Sequence, residues 1–217
     1  ATANKEDIEI LVKSDSDNDP VSYINILQKT GLNYKILVYE KMSGYSDLHL
    51  FYLDLCKLAT GNFMCMSSDD IIIYTNNWVP ELKKAYDLFD DHIMACAFQS
   101  IKTNKYGRTR GRVGNKSPFI TKEWFRCCGY LSPSYTHDKY LYSVGKYIRR
   151  YFYLNKVHVG INLSKAKNNK INRQNIKLSS RQWDLDVSGH ANLLRAHMIE
   201  NKVILPEGVK IVIDEIT

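Results

Sequence analysis

Two aspartates, Asp69 and Asp70, stand side by side between the apolar run Phe63 to Met66 and a second apolar run, Ile71 to Ile73. Adjacent carboxylates crowd negative charge, and a hard divalent cation such as Mg²⁺ or Mn²⁺ relieves it by taking oxygen ligands, usually shared with substrate phosphates. A turn or helix cap is the plain alternative for such a pair. Here the chain continues as Ile-Ile-Ile rather than as a helix, so capping explains the pair poorly. A second acidic cluster, SDSDND from Ser14 to Asp19, follows the β-rich run Ile8 to Val12. Asp15, Asp17 and Asp19 have calcium-loop spacing, but Pro20 stands where the sharp turn needs glycine and Ile26 where a bidentate glutamate is needed. A calcium loop is excluded on both counts.

The elements that must position these carboxylates alternate between strand and helix. After the strand Ile8 to Val12, Asp19 is a good N-cap, Pro20 suits the first helical position, Tyr23, Ile24 and Leu27 share a face, and Gly31 can end the helix. Lys35 to Tyr39 is the next strand. Ser46 can cap a helix whose Leu48, Phe51, Tyr52, Leu55, Leu58 and Ala59 keep helical spacing, with Gly61 as its end. Phe63 to Met66 is a third strand, and the aspartate pair follows it. Downstream, Pro80 opens a helix through Phe89, and His92 to Phe98 reads as a strand. TKEWFRCCG is a short helix capped by Thr121. A helix from His137 to Tyr151, a strand from Lys156 to Ile161, a helix from Trp183 to Asn201 and the strand VKIVIDEI complete the chain. Such alternation predicts an α/β fold, with a mostly parallel sheet covered on both faces. In open α/β sheets ligands bind beyond the carboxyl ends of the strands, which is where both acidic clusters fall.

Composition narrows the classes. At 217 residues, 44% hydrophobic and 12% aromatic, the chain can bury a core as one domain. Five cysteines without metal-ligand or CxxC spacing fit free, buried thiols in a reducing cytoplasm better than a disulfide framework. No stretch approaches the roughly 18 apolar residues of a membrane span. The net charge of +7 is concentrated in Lys102 to Lys116 and Lys165 to Arg181, both read as loops. Solvated basic loops or contacts to phosphate account for them. No helix-turn-helix or aromatic RNA-binding signature accompanies the charge, so nucleic acid is not the expected partner.

Three segments carry a resemblance to family-two glycosyltransferases. ILVKSDSDND is similar to their second strand and its acidic turn. LATGNFMCMSSDDIIIYTNNW resembles their A-x-G, strand, D-x-D, apolar strand and T-x-G-W run. SPFITKEWFRCCGYLSPSYTHDKYLYSVGKY is similar to their acceptor-side region, where an aspartate opens a helix. The resemblance implies a GT-A type, Rossmann-like α/β/α sandwich in a single domain, 1–217. Residues 1–80 would hold nucleotide-sugar and metal, 81–164 the acceptor side, and 165–217 a basic linker with the C-terminal helix and strand. Relatives begin with a βα unit ahead of the segment matching Ile8 to Val12, so the resemblance leads to the expectation that these 217 residues lack that unit or fill its slot with another strand such as VKIVIDEI.

Carried over by position, the resemblance implies that Asp70 ligates the metal and Asp69 the metal or donor ribose. Ser68 stands in the donor motif where many relatives have an acid or amide. Asp15 matches the nucleobase-contacting acid, with Asp17 in the same turn and Ser14 where a first acid is common. Trp78 would close over the donor sugar, or pack beneath the loop. Asp138 matches the base that deprotonates the acceptor hydroxyl, or caps its helix. A histidine metal ligand is expected after the last core strand, where Ile161 falls and His158 lies nearby. The implied activity is transfer of a sugar, with inversion, from a UDP- or GDP-sugar to a glycan, lipid-linked or protein acceptor, aided by Mn²⁺ or Mg²⁺. The basic loop Lys102 to Lys116, with Gly107, Gly111 and Gly114 as hinges, could close over the diphosphate. A non-catalytic carbohydrate- or protein-binding module derived from such an enzyme, and a metal-dependent phosphotransferase or nuclease, are the alternatives.

Overall fold

The computed structural model describes residues 5–40, 47–67, 71–103, 109–112, 117–132, 136–161 and 180–200. After a short 3-10 turn, β1 (Glu9–Asp15) leads through Asp17 into α1 (Pro20–Thr30). The Asp19 carboxylate accepts from the Val21 N–H at 3.0 Å, and Gly31 closes the helix in the left-handed region at φ 65°. Both ends of α1 are therefore as the local chemistry predicts. β2 (Asn33–Tyr39) pairs parallel to β1 along its whole length.

α2 (Leu48–Leu58) follows, with β3 (Phe63–Cys65) after it. Gly61 does not end this helix. Ala59 turns to extended backbone (φ −65°, ψ 134°) two residues earlier, and the expected Ser46 cap lies outside the described residues. β4 (Ile71–Ile73) precedes α3 (Trp78–Tyr86), which starts two residues before Pro80 because Asn77 enters it at φ 55°. β5 (Ala95–Thr103) runs into β6 (Thr109–Arg112) as antiparallel partners, with Thr103 opposite Thr109. The basic stretch expected as a loop is thus partly a two-stranded arm. Thr-Arg-Gly-Arg has no apolar alternation to announce a strand. Gly111 lies in β6 opposite Ile101, while Gly107 and Gly114 lie outside the described residues.

β7 (Pro118–Thr121) leads into α4 (Lys122–Cys128), whose first turn Thr121 caps by accepting from the Trp124 N–H at 3.4 Å. α5 (His137–Tyr147) ends four residues short of the expected Tyr151. Arg149 adopts φ 60°, and Tyr151 instead begins β8 (Tyr151–Ile161). The alternation of Tyr151 and Tyr153 with Phe152 and Leu154 is that of a strand with two packed faces. α6 (Ser180–Glu200) completes the described chain. VKIVIDEI and most of Lys165 to Arg181 lie outside it.

The larger sheet has the order β3-β7-β5-β8-β4, with β6 added on β5. β5 and β8 are parallel, as are β1 and β2; β3 shares the direction of β5 and β8, while β7, β4 and β6 run against them. Strands from residues 1–80 and 81–164 are interleaved, since β3 pairs with β7 and β4 with β8.

Alternate residues of β5 separate two cores. Ala95 and Ala97 face a cluster with Trp124, Tyr140, Leu141, Val144, Ala191 and Leu194, contributed by α4, α5 and α6. Cys96 and Phe98 face the opposite cluster with Leu82 and Ala85 of α3, Phe89, Val157 and Val159. Helices on both faces of a sheet make the chain an α/β/α sandwich. A buried ion pair locks the turn between α5 and β8. Arg150 donates to both Asp91 oxygens at 3.0 and 3.2 Å, and its guanidinium lies 3.7 Å from the Phe89 ring centroid.

Candidate active site

Because β3, β5 and β8 share a direction, their carboxyl ends emerge at one edge of the sheet. Ser67, just past β3, lies there beside the start of β7: the Met66 N–H donates to the Pro118 carbonyl at 3.1 Å, and the Ser117 and Ser67 hydroxyls are 3.5 Å apart. Ser68, Asp69 and Asp70 come next in the chain and lie outside the described residues. Their two flanks are fixed. The described chain resumes at Ile71, which lies opposite Ile161 of β8.

The tight turn from α5 to β8 sends α5 back across the sheet, which delivers its first residues to the same edge. His137 and Asp138 open the helix. Asp138 is not the N-cap. That position is Thr136, which makes no side-chain capping bond, and the Asp138 carboxylate accepts from the Lys139 N–H at 2.8 Å. A carboxylate in the first turn also lies at the positive end of the helix dipole.

α2 ties these pieces together through two consecutive side chains. The Phe51 ring packs near Tyr39 (centroids 5.6 Å) and under the Lys13 ammonium (3.7 Å). Lys13 is ion-paired with Asp15, so Phe51 joins α2 to the ends of β1 and β2. Tyr52 points to the other sheet: its hydroxyl donates to the Ser67 carbonyl at 3.3 Å and its ring meets the His137 imidazole edge-on at 4.6 Å. α2 thus contacts the Lys13–Asp15 pair side of β1 through Phe51, and the end of β3 and the start of α5 through Tyr52. Asp17 lies in the exposed turn between β1 and α1. Sequence reasoning missed Tyr52 and His137 as site residues, since Tyr52 reads as core periodicity and His137 as a helix start.

Two residues singled out from the sequence sit elsewhere. The Trp78 ring packs against Phe98 (5.6 Å) and Phe119 (6.1 Å), which accounts for it as a support beneath the strands. His158 follows Val157 and precedes Val159 in β8, both in the α3-side core, so it faces the other side of the sheet. The Tyr74 N–H donates to the His158 carbonyl at 2.9 Å, whereas Ile71 is opposite Ile161. Three residues along a strand is about 10 Å. His158 is displaced by that much from the point where the aspartate pair rejoins the sheet. Among the described residues no group of three or more His, Cys, Asp or Glu could hold a metal ion.

Beside Asp138, on the inner face of α5, lie three tyrosines. Tyr142 is one helical turn from Asp138, and its ring is 5.2 Å from Tyr151 and 6.5 Å from Tyr153. The Tyr151 hydroxyl is buried with no hydrogen-bond partner among the described residues. Burial first, then the charges of neighbouring groups including Tyr153 and Asp138, hold this phenol well above its ordinary pKa. It stays a neutral O–H donor.

All five thiols are free, and burial pushes Cys56 up to about 12, so it is not a nucleophile at neutral pH. No helix among the described residues is long and apolar enough to cross a membrane.

The chain matches no protein-family model and no curated protein sequence. Among solved structures it is similar to S. aureus TarS 1–349 in complex with UDP, with a TM-score of 0.52 and 15% identity, covering 90% of this chain and 65% of that one. A second S. aureus TarS 1–349 structure matches with a TM-score of 0.51 and 14% identity, covering 91% and 66%. The chain thus spans about two thirds of the TarS structures. At these identities the likeness is one of architecture, and what it establishes is a glycosyltransferase-like fold.

Proposed function

We propose that this chain transfers a sugar from a nucleotide-diphosphate donor to an acceptor hydroxyl, and that Asp138 is the base. The observation that carries this reading is the Tyr52 bridge, which draws the approach to the aspartate pair at Ser67 and the start of α5 at His137 onto one wall. The UDP bound to TarS supports a uridine diphosphate as the donor's nucleotide.

In this reading the acid turn at Asp15 and Asp17 contacts the nucleotide, while Ser68 and Asp69 face the donor. Mn²⁺ or Mg²⁺ held at Asp69 and Asp70 would supply Lewis-acid stabilisation of the charge on the departing diphosphate. Asp138 takes the acceptor's proton as the acceptor oxygen bonds to the anomeric carbon. The bond from that carbon to the phosphate oxygen breaks on the opposite face, its electron pair leaves with the nucleotide diphosphate, and configuration inverts. The Tyr52 contact to His137 holds the helix that presents this carboxylate.

The test is thermal denaturation with UDP or GDP, each with and without Mn²⁺. A ligand that binds only the native state at a hundredfold excess over its Kd adds about 2.7 kcal/mol of stability. A rise in Tm with UDP that grows when Mn²⁺ is added is the expected result. No nucleotide-dependent shift, with saccharide binding retained, would instead make the chain a non-catalytic binding module, a reading that the offset of His158 favours.

A further inference from the structure

We infer that Tyr142, Tyr151 and Tyr153 form an acceptor subsite for a saccharide, with a pyranose ring lying on the tyrosines and one hydroxyl directed at Asp138. The inference rests on the glycosyl-transfer reading only for the role of Asp138; the platform itself stands on the tyrosine geometry. The three rings meet at 5.2, 5.5 and 6.5 Å, with interplanar angles of 87°, 72° and 40°, so none of the pairs is a parallel stack. Tyr142 and Tyr153 are half-buried and flank the core rather than filling it, while Tyr151 is 5% exposed and supports them from behind.

The close fit beneath the cluster fixes its position. Gly145 of α5 leaves room for the Tyr151 side chain to approach, because a Cβ there would stand 2.8 Å from the Tyr151 Cβ. From that point the cluster extends toward the start of α5, where Asp138 sits four residues before Tyr142 on the same helical face.

The chemistry selects the ligand class. Sugar C–H bonds carry partial positive charge and seek the negative face of an aromatic ring, whereas sugar hydroxyls need partners at the rim. Tyrosines provide both, and the neutral Tyr151 hydroxyl is buried with its hydrogen-bonding capacity unused among the described residues. A shift of the cluster on binding would give that group a sugar oxygen or the Asp138 carboxylate as partner. The Lys146 ammonium, 6.0 Å from the Tyr142 centroid, marks the basic border of the platform.

The experiment is saturation-transfer-difference NMR with methyl β-D-glucopyranoside, cellobiose and N,N′-diacetylchitobiose, together with the UDP melting shift on the same samples. Transfer should concentrate on the C–H groups of one ring face. It should fall about fivefold in Tyr142→Leu and Tyr153→Leu, which keep apolar bulk, and persist in Tyr142→Phe, which keeps the ring. Transfer that survives both leucine variants overturns the subsite, as does absence of transfer to all three sugars. If the UDP shift is present in either case, the glycosyl-transfer reading stands without the subsite. Sugar transfer that depends on the tyrosines, in protein without a UDP shift, upholds the platform and removes the donor reading.

Discussion

The ring of Tyr52 meets the imidazole of His137 edge-on with centroids 4.6 Å apart, and the same side chain reaches the Ser67 carbonyl at 3.3 Å. One residue of α2 therefore sets the spacing between the approach to the aspartate pair and the helix that carries Asp138. Misplacing reacting groups by about 1 Å can cost about a hundredfold in rate. Tyr52→Ala is expected to lower kcat by about that factor, with only a few degrees lost in Tm, since an aromatic pair contributes about 0.5–1.5 kcal/mol beyond its buried area. Tyr52→Phe keeps the ring contact and should recover most of the rate. Unchanged turnover in Tyr52→Ala, measured beside its melting curve, would remove this coupling.

Asp138 is half-buried and engages the Lys139 N–H through one oxygen. An amide in its place still accepts that bond but cannot take a proton. Asp138→Asn is expected to reduce kcat by about 10²–10⁴ while the UDP-induced melting shift stays as in the parent protein. Comparable turnover by the variant would take the base role away from this residue.

Gly145 lies inside α5, where alanine would ordinarily improve helix propensity by up to about 1 kcal/mol. The contact at 2.8 Å with the Tyr151 Cβ reverses that expectation. Overpacking costs about 1–3 kcal/mol, so Gly145→Ala should lower the urea midpoint rather than raise it. A midpoint at or above that of the parent protein would show that β8 can yield.

His190 is fully buried among Trp124, Tyr130 and Tyr140, and burial lowers its pKa from 6.5 to about 4. Its neutral form is the one the fold accepts. Above pH 6.5 neither folded nor unfolded chain protonates it, and its contribution is intact. As the pH falls from 6.5 to 4 only the unfolded chain takes the proton, so stability declines, by about 3 kcal/mol at most, and levels off below the folded value. Urea denaturation across this window should show His190→Gln losing less stability than the parent protein. Parallel curves would mean that His190 is not the group responsible.

Local signals in the sequence determined the elements with their own punctuation. Asp19, Pro20 and Gly31 bracket α1, and Thr121 and Gly129 bracket α4, because caps and left-handed turns act over a few residues and require no distant partner. Alternation of strand and helix likewise gave the α/β class and put both acidic clusters beyond strand ends. Tertiary structure decided what depends on distant partners. β6 pairs with β5 although Thr109 to Arg112 has no apolar alternation, since its backbone bonds, not its side chains, make it a strand. Tyr151 belongs to β8 rather than α5 because the Arg150 guanidinium is held by Asp91, fifty-nine residues earlier. The sequence already put Ile161, with His158 three residues before it, at the end of the last core strand; only the pairing of β4 on β8 set Ile71 opposite Ile161. Tyr52, an ordinary core-periodic residue when read along α2, became part of the site only when β3 and α5 were folded against it.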